Sequence, residues 1–217
     1  MDQSDLFAQE GSNNKLSLQG FGELDYFPKW LTREQADDYF NCLYSELEWL
    51  QPKTTVYGKT RAIPRKQVWF GESEAHMLYS GKIFSPTPWH PLLLTIKQSI
   101  EQQYNLRFNS VLVNLYRDGQ DSVGWHADDE LELGVDPVIA SLSLGCERVF
   151  SLKPKSAKLA NAKCSPIHLS LYNGDLLIMR GKTQTFWHHA ILKDQNIVSP
   201  RINLTYRLIV SPVRNNT

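Results

Sequence analysis

The chain has little of what marks a secreted, disulfide-built or membrane-spanning protein. Its 217 residues include three cysteines, Cys42, Cys146 and Cys164, far apart and with no CxxC pair among them. An odd, scattered set argues against both a disulfide framework and a zinc knuckle, and leaves reduced packing residues. No run reaches the roughly 18 apolar residues of a membrane span, and the opening MDQSDLFAQEGSNNK has neither the basic start nor the apolar stretch of a signal peptide. A soluble cytoplasmic protein, or a nuclear one in a nucleated cell, is therefore expected, free of membrane and monomeric. An excess of either charge is missing too: 23 Lys and Arg face 23 Asp and Glu, so no global field draws the chain to a polyanion and any such site must come from local segregation. Internal repeats are absent. What is present is ample core material, 41% hydrophobic with 11% aromatic.

Residues 1–20 are rich in Gln, Asn, Ser and Gly, the composition of a disordered polar tail, which leaves 21–217 as one domain. Thr32 and Gln35 fit a capping box, and Ala36, Tyr39, Phe40, Leu43, Leu47 and Leu50 recur at helical spacing, which predicts a helix over about 33–49. A second helix is predicted after Pro88, carried by Leu92, Leu93, Ile96 and Ile100. Past Asn105 the period changes to two. VLVNLY, VIASLSL, ERVFSL, IHLSLY, DLLIMR, TFWHHAI and RINLTYRLIV are separated by turn residues, so seven short strands form a sandwich or jelly roll in an α+β domain. Charge is segregated along this plan. Lys53, Lys59, Arg61, Arg65 and Lys66 fall in a stretch without acids, as do Lys153, Lys155, Lys158 and Lys163, whereas Asp128, Asp129, Glu130, Glu132 and Asp136 cluster.

That acidic cluster contains a histidine. His126 and Asp128 form an H-x-D step, which on an extended segment places both side chains on one face as a chelate for a divalent metal. A third ligand can come from TFWHHAI, where His188 and His189 are neighbours on a predicted strand and point to opposite faces, so one of them coordinates. Two histidines and a carboxylate are the facial set that leaves iron(II) three open positions. In RINLTYR the residues Arg201, Asn203, Thr205 and Arg207 share one face, opposite Ile202, Leu204 and Tyr206. Two arginines about 20 Å apart along a strand, with an amide and a hydroxyl between them, suit a small dicarboxylate or a metal-bound carboxylate. Asn114 and Tyr116 repeat the polar stripe just before the H-x-D step.

The ordered set N-x-Y, H-x-D, aromatic-x-His and R-x-N-L-T-Y-R resembles the AlkB family of iron(II) and 2-oxoglutarate dependent dioxygenases over roughly residues 50–210. The likeness is to its nucleic acid dealkylating members, those acting on duplex DNA in particular. It implies a double-stranded β-helix core over about 105–212 with a nucleotide-recognition lid over about 50–90. By that resemblance His126, Asp128 and His189 hold Fe(II), while Asn114, Tyr116, Arg201, Asn203, Thr205 and Arg207 line the pocket of the co-substrate 2-oxoglutarate, with O2 as oxidant. In the lid, Arg65 and Tyr79 match residues set near the lesion, and Val56, Tyr57 and Gly58 resemble a short finger that fills the gap left by a flipped base. A flipped base needs a π face and a reader for its edge; Tyr79 with the His126 ring supplies the first, Asp129 or Glu130 the second. The implied partner is alkylated DNA, single- or double-stranded, or RNA, and the implied reaction is direct reversal of N-alkylation with release of an aldehyde. Two alternatives stand beside it: an oxygenase of the same class acting on a protein, lipid or small molecule, and a nucleic acid binding module without metal.

Overall fold

Each of the seven period-2 segments forms a strand. In the computed structural model, residues 15–18, 21–56, 58–79, 82–156 and 165–210 are described, with the side chains of 56, 77–79 and 82–84 left aside. The strands are β1 (Lys15–Ser17), β2 (Glu23–Phe27), β3 (Lys53–Val56), β4 (Lys59–Ala62), β5 (Lys66–Gly71), β6 (Met77–Tyr79), β7 (Lys82–Phe84), β8 (Ser110–Tyr116), β9 (Val123–His126), β10 (Ile139–Gly145), β11 (Arg148–Pro154), β12 (Ile167–Leu171), β13 (Leu176–Arg180), β14 (Trp187–Ile191) and β15 (Arg201–Arg207). A large antiparallel sheet runs in the order β1-β2-β13-β10-β15-β8-β5 and a small one in the order β12-β11-β14-β9, with β3-β4 and β6-β7 as separate hairpins.

Two helices cover the outer face of the large sheet. Helix α1 (Arg33–Glu46) begins at the expected capping box, Thr32 with Gln35. It stops three residues early because Leu47 turns extended and buries its side chain. There the Trp49 indole N–H donates to the Tyr44 carbonyl, one of the acceptors a helix end leaves free. Helix α2 (Pro91–Tyr104) starts with His90 as N-cap and Pro91 in its first turn, and ends at Asn105 in the left-handed conformation (φ 51°). Among the described residues no helix is long and apolar enough to cross a membrane.

Strand alternation divides the core in two. Val111, Val113, Leu115, Leu142, Leu144, Ile202, Leu204 and Tyr206 join Leu43, Leu93, Ile96 and Ile100 of the helices in one cluster. A second cluster fills the space between the sheets, with Leu152, Leu169 and Leu171 from the small sheet against Ile139, Leu177 and Met179 of the large one. The polar side chains of β8 and β15 therefore face the space between the sheets and not solvent.

Three expectations change. The fold begins before residue 21, because β1 pairs with β2 and buries Leu16 and Leu18 in the inter-sheet cluster; the polar composition of residues 1–20 conceals this short alternation. The span 50–90 is not all lid, since β5 is the edge strand of the large sheet, paired with β8. A short helix α3 (Thr183–Phe186) occupies the start of the segment predicted as a strand around Trp187.

The turn into β13 is tied down by a buried carboxylate. Asp175 accepts from the Tyr26 hydroxyl (2.6 Å), the Lys29 N–H (2.9 Å) and the Tyr172 N–H (2.8 Å), joining β2 to β13. Asp175→Ala strands a phenol and two amides, so it is expected to cost roughly 2–3 kcal/mol. Urea denaturation checks this, and Asp175→Asn should recover part of the loss.

Candidate active site

The small sheet carries two of the expected metal ligands. His126 ends β9 and His189 is central in β14; they are direct cross-strand partners, with ring centroids 4.3 Å apart. Trp187 and His189 share the inward face, Trp187 anchored by its indole N–H on the Phe21 carbonyl, while the intervening His188 turns outward opposite Lys153. Asp128 follows two residues after His126, and its backbone N–H is held at 2.9 Å by the Gln184 side-chain carbonyl from α3. The donor atoms of His126, Asp128 and His189 lie within 4.8 Å of one another.

The protonation pattern suits a metal. His126 Nδ1 faces the Gly124 carbonyl at 2.8 Å, so it carries the proton and leaves the Nε2 lone pair free. Burial pushes the His189 imidazolium down to about 3 against the opposing pull of Asp128, which leaves a neutral ring. Burial alone would raise the Asp128 carboxyl, but the charge and hydrogen bond of Arg207 outweigh it and hold Asp128 ionised. Its Oδ1 accepts from Arg207 Nη2, while Oδ2 is buried without a partner 3.8 Å from His189 Nε2. Two imidazoles and a carboxylate with an orphaned oxygen fit a divalent ion with further coordination positions open.

A second triad shows the contrast. Cys42, Glu46 and His90 also draw their donor atoms within 4.8 Å. There His90 Nδ1 accepts from the Leu92 N–H, so its proton sits on Nε2 and goes to Glu46 at 3.0 Å. The lone pair a metal would need is already used in capping α2.

The large sheet supplies the polar stripe. Asn203 pairs across with Asn114, and Arg201 with Tyr116. Asn203 donates to Ser141 Oγ (2.8 Å) and the Leu142 carbonyl (3.1 Å), and accepts from the Thr205 hydroxyl. Arg65 donates from Nε to Asn114 Oδ1 at 2.9 Å. One cavity of about 50 Å³ is lined by His126, Asp128 and His189 together with Asn114, Tyr116, Asn203, Thr205, Arg207 and Arg65. Arg201 does not line it. It lies further along the same face of β15, 1% exposed, with Nη2 on Ser143 Oγ and both Nε and Nη1 unpartnered. Burial lowers its pKa to about 10, so it remains a cation at neutral pH.

The remaining expected residues are dispersed. Asp129 is ion-paired to Lys155 at 2.6 Å. Glu130 is exposed at the start of the short turn Leu131–Leu133, and neither acid lines the cavity. Tyr57 lies outside the described residues, and Tyr79 is placed only as the β6 backbone paired with Lys82. Ser141, Ser143, Gln184 and Arg148 had no sequence signal beyond their polarity on otherwise apolar segments, yet each contacts the site or its supports.

The sequence profile of the 2OG-Fe(II) oxygenase superfamily matches residues 23–207, and the chain belongs to that superfamily. In fold it resembles a solved structure described as "The structure of OsALKBH1", with a TM-score of 0.58 over 85% of this chain and 97% of that one, at 18% identity. In sequence it is 38% identical over 198 residues to alpha-ketoglutarate-dependent dioxygenase alkB homolog 3 of Bos taurus, covering 89% of this chain and 68% of the relative. It is 36% identical over 183 residues to DNA oxidative demethylase ALKBH2 of Homo sapiens, covering 82% and 70%. Within the superfamily the chain is a member of the AlkB family, an enzyme that uses Fe(II), 2-oxoglutarate and O2.

Strand parity separates the two adjacent histidines. His189→Ala should lose metal binding, while His188→Ala should keep affinity within about twofold. Anaerobic Fe(II) titration, or Mn(II) in its place, reads the difference; equal losses would contradict the assignment.

Proposed function

We propose that this enzyme removes alkyl groups from ring nitrogens of damaged bases in DNA, with RNA as a second polymer it can accept, acting in whichever compartment holds that nucleic acid. The observation that carries the reading is the junction of metal triad and basic lid. Arg65 lines the cavity beside His126 and Asp128 and directly follows the β3-β4 hairpin, where Lys53, Lys59 and Arg61 are all exposed and no acid intervenes. A polyanion drawn to that hairpin arrives at the metal. The similarity to a protein named DNA oxidative demethylase supports the same substrate class.

His126, Asp128 and His189 would hold the iron. Bound there with 2-oxoglutarate and O2, it would supply hydroxylation of the alkyl carbon on the ring nitrogen, the second oxygen atom going to 2-oxoglutarate as it loses CO2 to become succinate, and the hydroxylated group would leave as an aldehyde with the base restored. Arg207 keeps Asp128 ionised and aimed, and its buried, unpartnered Nε remains available to a carboxylate. Arg201 receives the far carboxylate of 2-oxoglutarate, and Asn114, Tyr116, Asn203 and Thr205 line the space between. Arg65 stands at the base. Asp129 is engaged by Lys155, so the exposed Glu130 is the acid left to accept from an exocyclic amine, with Tyr57 and Tyr79 in the finger and stacking roles that the resemblance gives them.

Incubation with Fe(II), 2-oxoglutarate and methylated single- and double-stranded oligonucleotides should yield the unmodified base and formaldehyde in equal amounts. If 2-oxoglutarate consumption responds to a protein or small molecule and not to any alkylated oligonucleotide, the substrate assignment fails. Arg201→Ala should weaken 2-oxoglutarate binding on the order of tenfold to a hundredfold by calorimetry, with oligonucleotide binding unchanged. In Lys59→Ala combined with Arg61→Ala, the slope of log affinity against log salt for duplex DNA should fall by about 0.9 for each phosphate that the variant no longer neutralises. An unaltered slope removes the hairpin from the interface.

A further inference from the structure

We infer that Arg148 is a positioning residue for the co-substrate: a second buried cation, acting through Tyr116, that sets how strongly the pocket selects a dicarboxylate over a monocarboxylate. The inference rests on the reading above that Arg201 receives the far carboxylate.

Arg148 opens β11 and is 2% exposed. Its donors go to three backbone carbonyls, Asp118 (3.1 Å) and Asp121 (2.9 Å) in the β8-β9 connection and Leu192 (2.7 Å) after β14. Those acceptors are neutral, and among the described residues no carboxylate is in contact with its charge. The Asp121 carboxylate is taken in two bonds by Arg117. Arg201 is in the same condition, with one bond to a hydroxyl and two buried nitrogens unpartnered. Among the described residues, neither guanidinium has an ion-pair partner, in contrast to Arg117 and Arg207.

The two cations share one aromatic ring. Arg148 Cζ and Arg201 Cζ each lie 5.5 Å from the Tyr116 ring centroid, which places them within about 11 Å of each other. The negative face of the ring offsets part of each charge. It cannot neutralise two buried guanidiniums, whose desolvation is costly unless an anion joins them. Burial lowers the Arg148 pKa, and the carboxylates of Asp194 and Asp121 oppose that from the loop side. An anion arriving at Arg201 therefore meets the field of both cations. At an effective dielectric constant near 20, a unit charge about 10 Å away changes anion affinity by roughly tenfold. A keto acid that lacks the second carboxylate keeps only its more distant C1 carboxylate and feels that field less, so the ratio of the two affinities separates it from the stapling that Arg148 also provides.

The test is calorimetric titration of 2-oxoglutarate and of 2-oxopentanoate, which carries a methyl group in place of the far carboxylate, into the Mn(II)-loaded full chain. Wild type should favour 2-oxoglutarate, and Arg201→Gln should abolish most of that preference. Arg148→Gln should reduce the preference severalfold, weakening 2-oxoglutarate clearly more than 2-oxopentanoate. Arg148→Lys, which keeps the charge and gives up part of the fork, should retain most of it. If Arg148→Gln does not fold, Arg148→Met offers an unbranched chain for the same channel and the same expected ratio. A wild-type ratio in the variant that has lost the charge overturns the inference and leaves Arg148 a loop staple. No preference in wild type, or an intact one in Arg201→Gln, overturns the reading of Arg201 and this inference with it.

Discussion

A guanidinium at the end of β15 in the large sheet and a carboxylate in the loop that follows β9 of the small one meet at Arg207 and Asp128, and the rest of the site depends on that contact. It fixes the carboxylate by one oxygen and leaves the other, buried and unpartnered, toward His189. The Arg207 charge also offsets the burial that would otherwise protonate Asp128. Without it a buried anion would stand beside two neutral imidazoles, an arrangement that costs several kcal/mol and resolves by taking up a proton. The bond from Gln184 to the Asp128 backbone completes the hold, and because α3 leads directly into β14, the segment that fixes Asp128 also delivers His189.

The same space must serve stability and chemistry, and the large sheet divides the two by face. Residues of one parity in β8, β10 and β15 pack against the helices in a wholly apolar cluster that holds the domain together. Those of the other parity carry Asn114, Ser141, Ser143, Arg201, Asn203, Thr205 and Arg207 into the space between the sheets. Buried polar groups are tolerated only when satisfied. Asn203, Thr205, Ser141 and Ser143 satisfy one another or bond to Arg201, so on β10 and β15 the unmet demand falls on nitrogens of Arg201 and Arg207, and across from them on one oxygen of Asp128. In the space between the sheets the orphaned atoms of Arg201, Arg207 and Asp128 mark where ligands belong; among the described residues the Gln67 side-chain oxygen and the Tyr104 hydroxyl are also buried without a partner, and neither lines the cavity.

Much of this was legible in the residues. The alternation in R-x-N-x-T-x-R and N-x-Y assigned every polar side chain to the correct common face, because strand parity is local and survives any packing. Whether that face met solvent or a second sheet was not local, and a polar stripe reads alike in both cases. The extended H-x-D segment was less visible as a strand, since β9 pairs with β14 only at Val123 and His126 and shifts register between them, which breaks the period. Arg148 and Gln184 could not be read as site residues at all. Their partners lie 27 to 56 positions away, and only the folded chain brings them to Tyr116, the β8-β9 connection and Asp128. The tail boundary failed for another reason: Leu16 and Leu18 supply a two-residue alternation too short to stand out against polar neighbours.

Electrostatic balance around the metal explains how a chain with no net charge can receive a polyanion beside five acids. Phosphates approaching the β3-β4 hairpin would be repelled by a free acidic run at 128–136. Two of the five are paired to cations, Asp128 to Arg207 and Asp129 to Lys155, and Asp136 accepts from the Thr185 hydroxyl. Lys155 of the second basic stretch is taken up by Asp129, and Lys153 of the same stretch brings positive charge near the His126 edge, 4.3 Å over the Trp125 ring. Exposed pairs of this kind contribute little to stability. Their value is local: they offset acid charge beside the metal site, while Lys53, Lys59 and Arg61 stay exposed on the hairpin with no acid between them.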